Sequence, residues 1–226
     1  MVCGTPIGNL EDLTPRVAAA LKGADVILAE DTRRARKLLN HLGVRVRMIS
    51  FNDHNAAARI PQVMSMLGSG LDVALVSDAG MPGVSDPGAA LVERAHASGA
   101  QVIVLPGPSA VTTALAWSGL EIREFTFAGF PPRKSGERRR YLRKLSQEGR
   151  IVVIFEAVHR IDKTLADVEA ELGPVPVIIT REMTKIHEEM LRGTPGELVV
   201  RLREQNRLRG EFTVILDLRP KKEHRP

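Results

Sequence analysis

Three side chains able to accept or hold a proton stand beside turns: Asp31 in Glu30-Asp31-Thr32-Arg33, His54 in Asn52-Asp53-His54-Asn55, and Lys185 in Arg181-Glu182-Met183-Thr184-Lys185. A hydroxyl nucleophile attacks poorly until its proton leaves, and a placed base raises the rate by about 10²–10⁴-fold. Asp31 serves either as that base, with Thr32 and Arg33 orienting it or holding a phosphate, or as the N-cap of a helix. His54 needs Asp53 or Asn55 to fix its tautomer. Lys185 accepts a proton only if its pKa is lowered, and a phosphate contact is its simpler role. The residue types leave all three open as catalytic candidates.

A second group of residues has the chemistry of a ligand cradle. Between Ser77 and Gly88 lie three glycines, two prolines and the carboxylates of Asp78 and Asp86. Such a stretch is a shaped polar loop whose backbone groups are available to a small molecule. Asp78 is expected to face the ligand and Asp86 to brace the loop. Gly4-Thr5-Pro6-Ile7-Gly8-Asn9-Leu10 and Leu105-Pro106-Gly107-Pro108-Ser109 are likewise rich in glycine and proline.

The elements that position these loops are apolar runs without alternation: Ala24 to Ala29, Val73 to Val76, Val102 to Leu105, Ile151 to Phe155, Val175 to Ile179 and Thr213 to Leu218. Continuous apolar strands belong in a largely parallel sheet covered on both faces. Ile60, Val63, Met64 and Leu67 follow the spacing of an amphipathic helix between two such strands. The loops follow the strands, so crossover connections bring them to one sheet edge, where open α/β sheets bind ligands. A division after Ser118 gives two α/β domains, 1–118 and 119–226, the second with antiparallel as well as parallel pairing. Arg219 to Pro226 reads as a solvated tail.

The 226 residues are 43% hydrophobic and 26% charged, with net charge +5 and a single cysteine. This composition is that of a globular chain with no internal disulfide or multi-cysteine zinc site, no apolar run long enough to span a membrane and no secretion signal at its start. The expected compartment is the cytoplasm. No dinucleotide-binding glycine triplet, P-loop or serine-hydrolase elbow occurs, and the dispersed histidines predict no metal. From Arg133 to Lys144 seven cations (Arg133, Lys134, Arg138, Arg139, Arg140, Arg143 and Lys144) face the single Glu137, a density that predicts phosphate contacts. Arg33 and Arg160 are candidates to extend that track. Aromatic residues are only 4% of the chain, so RNA recognition is expected to rest more on backbone and shape than on base stacking.

The three loops, together with Glu30-Asp31-Thr32-Arg33, Phe155-Glu156-Ala157-Val158-His159-Arg160, Arg181 to Lys185 and Gly210-Glu211, resemble in their order the tetrapyrrole methylase family, and within it the branch acting on ribosomal RNA. The resemblance covers nearly the whole chain. It implies two α/β domains with a cofactor cleft between them, S-adenosylmethionine as methyl donor, 2'-O-methylation of a cytidine in 16S ribosomal RNA of the small subunit, and a homodimer. Matched residue by residue, it implies that Ile7, Asp78, Gly80, Met81, Ser109, Ala110, Phe155, Arg181 and Glu211 face the cofactor. Met81, Asn52 and Val158 stand where the family often has Thr, His and Pro. A methylase of a tetrapyrrole or other small acceptor would share these loops but has no use for the basic cluster. A non-catalytic RNA-binding assembly factor would keep the cluster without saturable cofactor binding.

Overall fold

The apolar runs form strands whose residues are buried on both faces. In the computed structural model, which describes residues 1–204 and 209–220, contacts divide the chain into two compact units, Met1–Ser109 and Ala110–Pro226. The first unit holds β1 (Val2–Cys3), β2 (Val26–Ala29), β3 (Arg47–Ser50), β4 (Val73–Val76) and β5 (Val104–Leu105), all parallel, in the order β3-β2-β4-β1-β5. Alternate strand residues serve opposite faces. Ile27 and Ala29 pack with Leu21 of α1 (Pro15–Gly23) and Leu38 and Leu39 of α2 (Thr32–His41). Val26 and Leu28 pack with Val63 of α3 (Ala56–Gly68) and Leu91 of α4 (Ala89–Ala97). This double cover explains why β2 and β4 lack polar positions.

The second unit contains α5 (Ala110–Ser118), β6 (Phe125–Phe127), α6 (Ser135–Ser146), β7 (Ile151–Glu156), α7 (Ile161–Leu172), β8 (Val177–Arg181), β9 (Glu189–Gly193), α8 (Pro195–Glu204) and β10 (Phe212–Asp217). Its sheet order is β6-β7-β10-β8-β9; only β6 and β7 pair in parallel. Leu142 and Leu145 from α6, Ile161, Leu165 and Val168 from α7, and Leu198 and Leu202 from α8 form one core with Val152, Ile154, Ile179, Val214 and Leu216 of the sheet.

Helix α5, which a division after Ser118 assigns to the first domain, groups with the second unit, where it packs against β10. Strands β3 and β9 are not legible in the sequence: their segments, Arg-Met-Ile-Ser and Glu-Met-Leu-Arg-Gly, lack a continuous apolar run. Arg219 does not fray into solvent, since it pairs with Asp217 at 2.7 Å and donates to the Glu121 carbonyl at 2.8 Å. The rest of the expected tail, 221–226, lies outside the described residues. No helix among the described residues is long and apolar enough to cross a membrane.

Candidate functional site

At the carboxyl edge of the first sheet three loops meet backbone to backbone. Thr5 and Gly80 exchange hydrogen bonds, N–H to carbonyl, at 2.8 and 3.0 Å. Gly4 and Gly107 approach so closely that a Cβ on Gly4 would lie 2.6 Å from the Gly107 nitrogen and 2.5 Å from Met81 Sδ. Ile7 and the Pro108 carbonyl border Gly80, whose φ of +81° suits glycine. Ile7, Gly80 and Met81, with Ser109 next to Pro108, are thus brought to one edge by β1, β4 and β5.

Asp78 ties this edge to α2. One carboxylate oxygen accepts the Asp31 backbone N–H at 3.0 Å, and the other lies 3.4 Å from Arg34 Nε. Around it gather Glu30, Asp53 and Asp86, close enough for the neighbouring carboxylates to raise the pKa of Glu30 and of Asp86. Burial first, then the neighbouring carboxylates Asp78 and Asp53, push the Asp86 carboxyl up to about 6 despite a hydrogen bond from Ser77. Glu30 is raised by burial and by Asp78 and Asp86, and its Oε2 is buried without a hydrogen-bond partner. Asp86 is therefore a better proton acceptor than an ordinary aspartate, a property that reasoning from residue types misses. Its visible signal is the recurrence of carboxylates after successive strands. Among the described residues no cluster of His, Cys, Asp or Glu is arranged to hold a metal ion.

The three catalytic candidates have different surroundings. Asp31 is the N-cap of α2, accepting the Arg33 N–H at 2.8 Å, and its carboxylate is gripped by the Arg33 guanidinium through contacts of 2.7 to 3.2 Å. Those bonds hold its pKa down at about 2, which makes it a weak proton acceptor near neutrality. They also engage Arg33, assigned from the sequence to RNA. His54 is exposed; its backbone N–H bonds to Asn52 Oδ1, and no described residue hydrogen-bonds its ring. Lys185 Nζ bridges Glu182 at 2.9 Å and Glu211 at 3.1 Å. Burial lowers its pKa, but these two carboxylates outweigh burial and leave it raised, so Lys185 stays a cation.

The cofactor candidates of the second unit lie on several elements. Arg181 ends β8, pairs with Glu189 at 3.2 Å and donates to the Arg209 carbonyl. Glu211 precedes β10, and its N–H bonds to Glu182 Oε1 at 2.9 Å. Glu182 and Thr184 adopt φ of +51° and +65°, a strained turn that holds Lys185 between its two carboxylates. Phe155 in β7 packs edge-on to Phe127 and tilted against Phe130, with ring centroids 4.9 and 5.6 Å away. Ala110 opens α5.

The basic stretch divides into two sets. Arg138 is only 3% exposed, with Nη2 2.5 Å from Asp167 of α7. This corrects its assignment to RNA: a guanidinium so buried and paired is a structural group. Arg139 also pairs with Asp167, and Arg143 with Glu171 on the same helix. Lys134 lies 3.4 Å from Glu137. Arg160 likewise departs from its expected RNA role, pairing with the buried Glu156 and donating to the carbonyls of Pro131 and Pro132. Arg133, Arg140 and Lys144 remain exposed with no carboxylate partner among the described residues.

Residues 1–199 match the family described as Tetrapyrrole (Corrin/Porphyrin) Methylases. The chain belongs to the tetrapyrrole methylase family. As a methylase it transfers a methyl group, and that chemistry requires a donor. This tetrapyrrole methylase is 46% identical over 216 residues, 96% of each chain, to a Thermotoga maritima protein named ribosomal RNA small subunit methyltransferase I. A Mycobacterium tuberculosis protein of the same name is 45% identical over 94% of this chain and 75% of its own length. Among solved structures, a cobalt precorrin-4 methyltransferase of cobalamin biosynthesis superposes with a TM-score of 0.70 at 16% identity, covering 96% of this chain and 95% of its own. The methyltransferase CobJ gives 0.67 at 18%, over 92% and 89%. At those identities the two share with this methylase its fold.

Proposed function

We propose that the chain transfers a methyl group from S-adenosylmethionine to the 2'-hydroxyl of a cytidine in 16S ribosomal RNA of the small subunit, acting as a cytoplasmic homodimer. The observation that carries this reading is the identity of 42–46% over at least 94% of the chain with relatives named ribosomal RNA small subunit methyltransferase I. The cations Arg133, Arg140 and Lys144, without a carboxylate partner among the described residues, support an RNA acceptor over a small one.

The residues at the first sheet's edge suit such a donor: Asp78 and the Oε2 of Glu30, without a hydrogen-bond partner among the described residues, offer acceptors to hydroxyl and ammonium groups and favour a cation. When bound, S-adenosylmethionine supplies an electrophilic methyl on a positively charged sulfur. The loop residues Ile7, Asp78, Gly80, Met81 and Ser109, with Ala110, Phe155, Arg181 and Glu211 from the second unit, are assigned to hold it. Alignment of the attacking oxygen can contribute about 7–11 kcal/mol. The chain's own part in the transfer would be to align the acceptor hydroxyl with the donor methyl and to take the hydroxyl proton on a base. Asp31 is held far below neutrality and Lys185 is held as a cation, which leaves His54 and Asp86, and we assign the proton to Asp86, whose carboxyl neighbours Asp78 of the loop.

The test is incubation with methyl-labelled S-adenosylmethionine and unmodified 30S subunits, followed by nucleoside analysis. Labelled 2'-O-methylcytidine is the expected product. Donor binding without transfer to RNA would move the reading to a small acceptor, and absence of donor binding would overturn it. Sedimentation of the same preparation checks the dimer.

A further inference from the structure

The loop from Ala128 to Lys134 is held by acceptor bonds at almost every carbonyl. Ala128 receives the Tyr141 hydroxyl at 3.0 Å, and Gly129 the Phe155 N–H at 2.9 Å. Pro131 receives Arg160, Pro132 receives both Arg160 and Arg138, and Arg133 receives Arg138, at 2.6 to 3.3 Å. The two guanidiniums are themselves fixed by buried carboxylates, Asp167 for Arg138 and Glu156 for Arg160, and Glu156 also accepts the Thr164 hydroxyl at 2.5 Å. Burying two ion pairs is costly, and here the two guanidiniums spend their remaining donors on the carbonyls of one loop, which fixes its geometry.

That geometry presents one residue outward. Phe130 lies in the middle of the loop and is 55% exposed, although Pro131 beside it is buried. Phe155 backs one part of the ring at a tilt of 58°, leaving much of it in water. The next residues, Arg133 and Lys134, are exposed cations, and Arg140 and Lys144 follow on α6. A preorganised aromatic surface bordered by cations fits a flat group attached to an anionic chain.

We infer that Phe130 is a stacking platform for an unpaired base of the RNA substrate, with Arg133 and Lys134 holding the adjoining phosphates. The inference rests on the RNA reading above and adds to it the residue that meets a base. The ring sits on a held loop, so removing it leaves the fold intact and the strand without its partner surface.

The test measures binding of a fluorescent cytidine-analogue oligonucleotide and methyl transfer to 30S subunits for the wild type and for Phe130→Ala, Phe130→Leu and Phe130→Tyr. The expected result is an affinity loss of about 5- to 100-fold for Ala and for Leu, near wild-type binding for Tyr, and S-adenosylmethionine affinity unchanged within about twofold, the range of one aromatic–base stack. The analogue's fluorescence should be quenched by the wild type and by Tyr alone. Wild-type behaviour of Phe130→Leu would reduce the ring to apolar packing and overturn the platform. A parallel fall in donor affinity would assign the ring to the cofactor, and a change in sedimentation would assign it to a second copy; either overturns the inference. Failure of the wild type to bind RNA would instead remove the parent reading and this one with it, whereas RNA binding that is indifferent to Phe130 removes the platform alone.

Discussion

Asp31 and Asp86 follow strands of the same parallel sheet, yet their surroundings drive their acidities apart. Asp31 gains bonds to its charged form, whereas Asp86 is buried among like charges. The folded Asp86 binds its proton more tightly than an unfolded aspartate with pKa 3.8, so stability falls as pH rises from about 4 to about 6. Asp86→Asn should therefore raise the melting temperature at pH 7.5, by the equivalent of about 1 kcal/mol once solvent screening is allowed for, and have little effect at pH 4. The same variant should lower kcat by about 10²–10⁴-fold with donor affinity preserved, while wild-type activity declines as pH drops through 6. Denaturation at two pH values and a pH–rate profile check both statements, with His54→Ala as the comparison for the proton's destination. The sequence displays every one of these side chains. It cannot display that Glu30, Asp53 and Asp86 crowd Asp78, because that relation depends on which strands become neighbours.

At the scale of elements, close packing of loops and helices sets the sensitivities. Gly4→Ala would force a methyl into Met81 Sδ and the Gly107 backbone, and the backbone contact cannot yield as a side chain would. The expected loss is about 1–3 kcal/mol, with weakened donor binding, read by chemical denaturation and calorimetry. Between α6 and α7, Asp167→Ala leaves Arg138 buried and unpaired and should cost about 3–5 kcal/mol. The double replacement Arg138→Met with Asp167→Leu should recover most of that stability but lose the loop's carbonyl grip. Apolar runs make β2, β4, β7, β8 and β10 legible in the sequence, and the strand-end loops follow from them. The basic helix is equally legible as a helix face. Its neutralisation is not, because Asp167 and Glu171 stand 28 positions beyond the arginines they meet, Arg139 and Arg143.

At the scale of the whole molecule, the net charge of +5 conceals a redistribution. Tertiary pairing removes Arg138, Arg139 and Arg143 from the basic stretch and leaves Arg133, Arg140 and Lys144 free of carboxylates among the described residues. Changing those last three to Ala should weaken RNA binding and reduce its logarithmic salt slope by about 2, with unfolding and donor affinity unchanged. Titrating RNA at several salt concentrations tests this, and an unaltered slope would remove the three residues from the interface. The order of strands in the first sheet has another consequence. β1 is seated between β4 and β5, and the Met1 amino group bonds to the Val73 carbonyl 72 positions away. During synthesis the Val2–Cys3 segment is made long before either partner strand, and it cannot be enclosed until Val104–Leu105 has left the ribosome. A strand near the start of the chain is thus completed among the last, and a nascent chain arrested before residue 104 should remain open to chaperones and proteases.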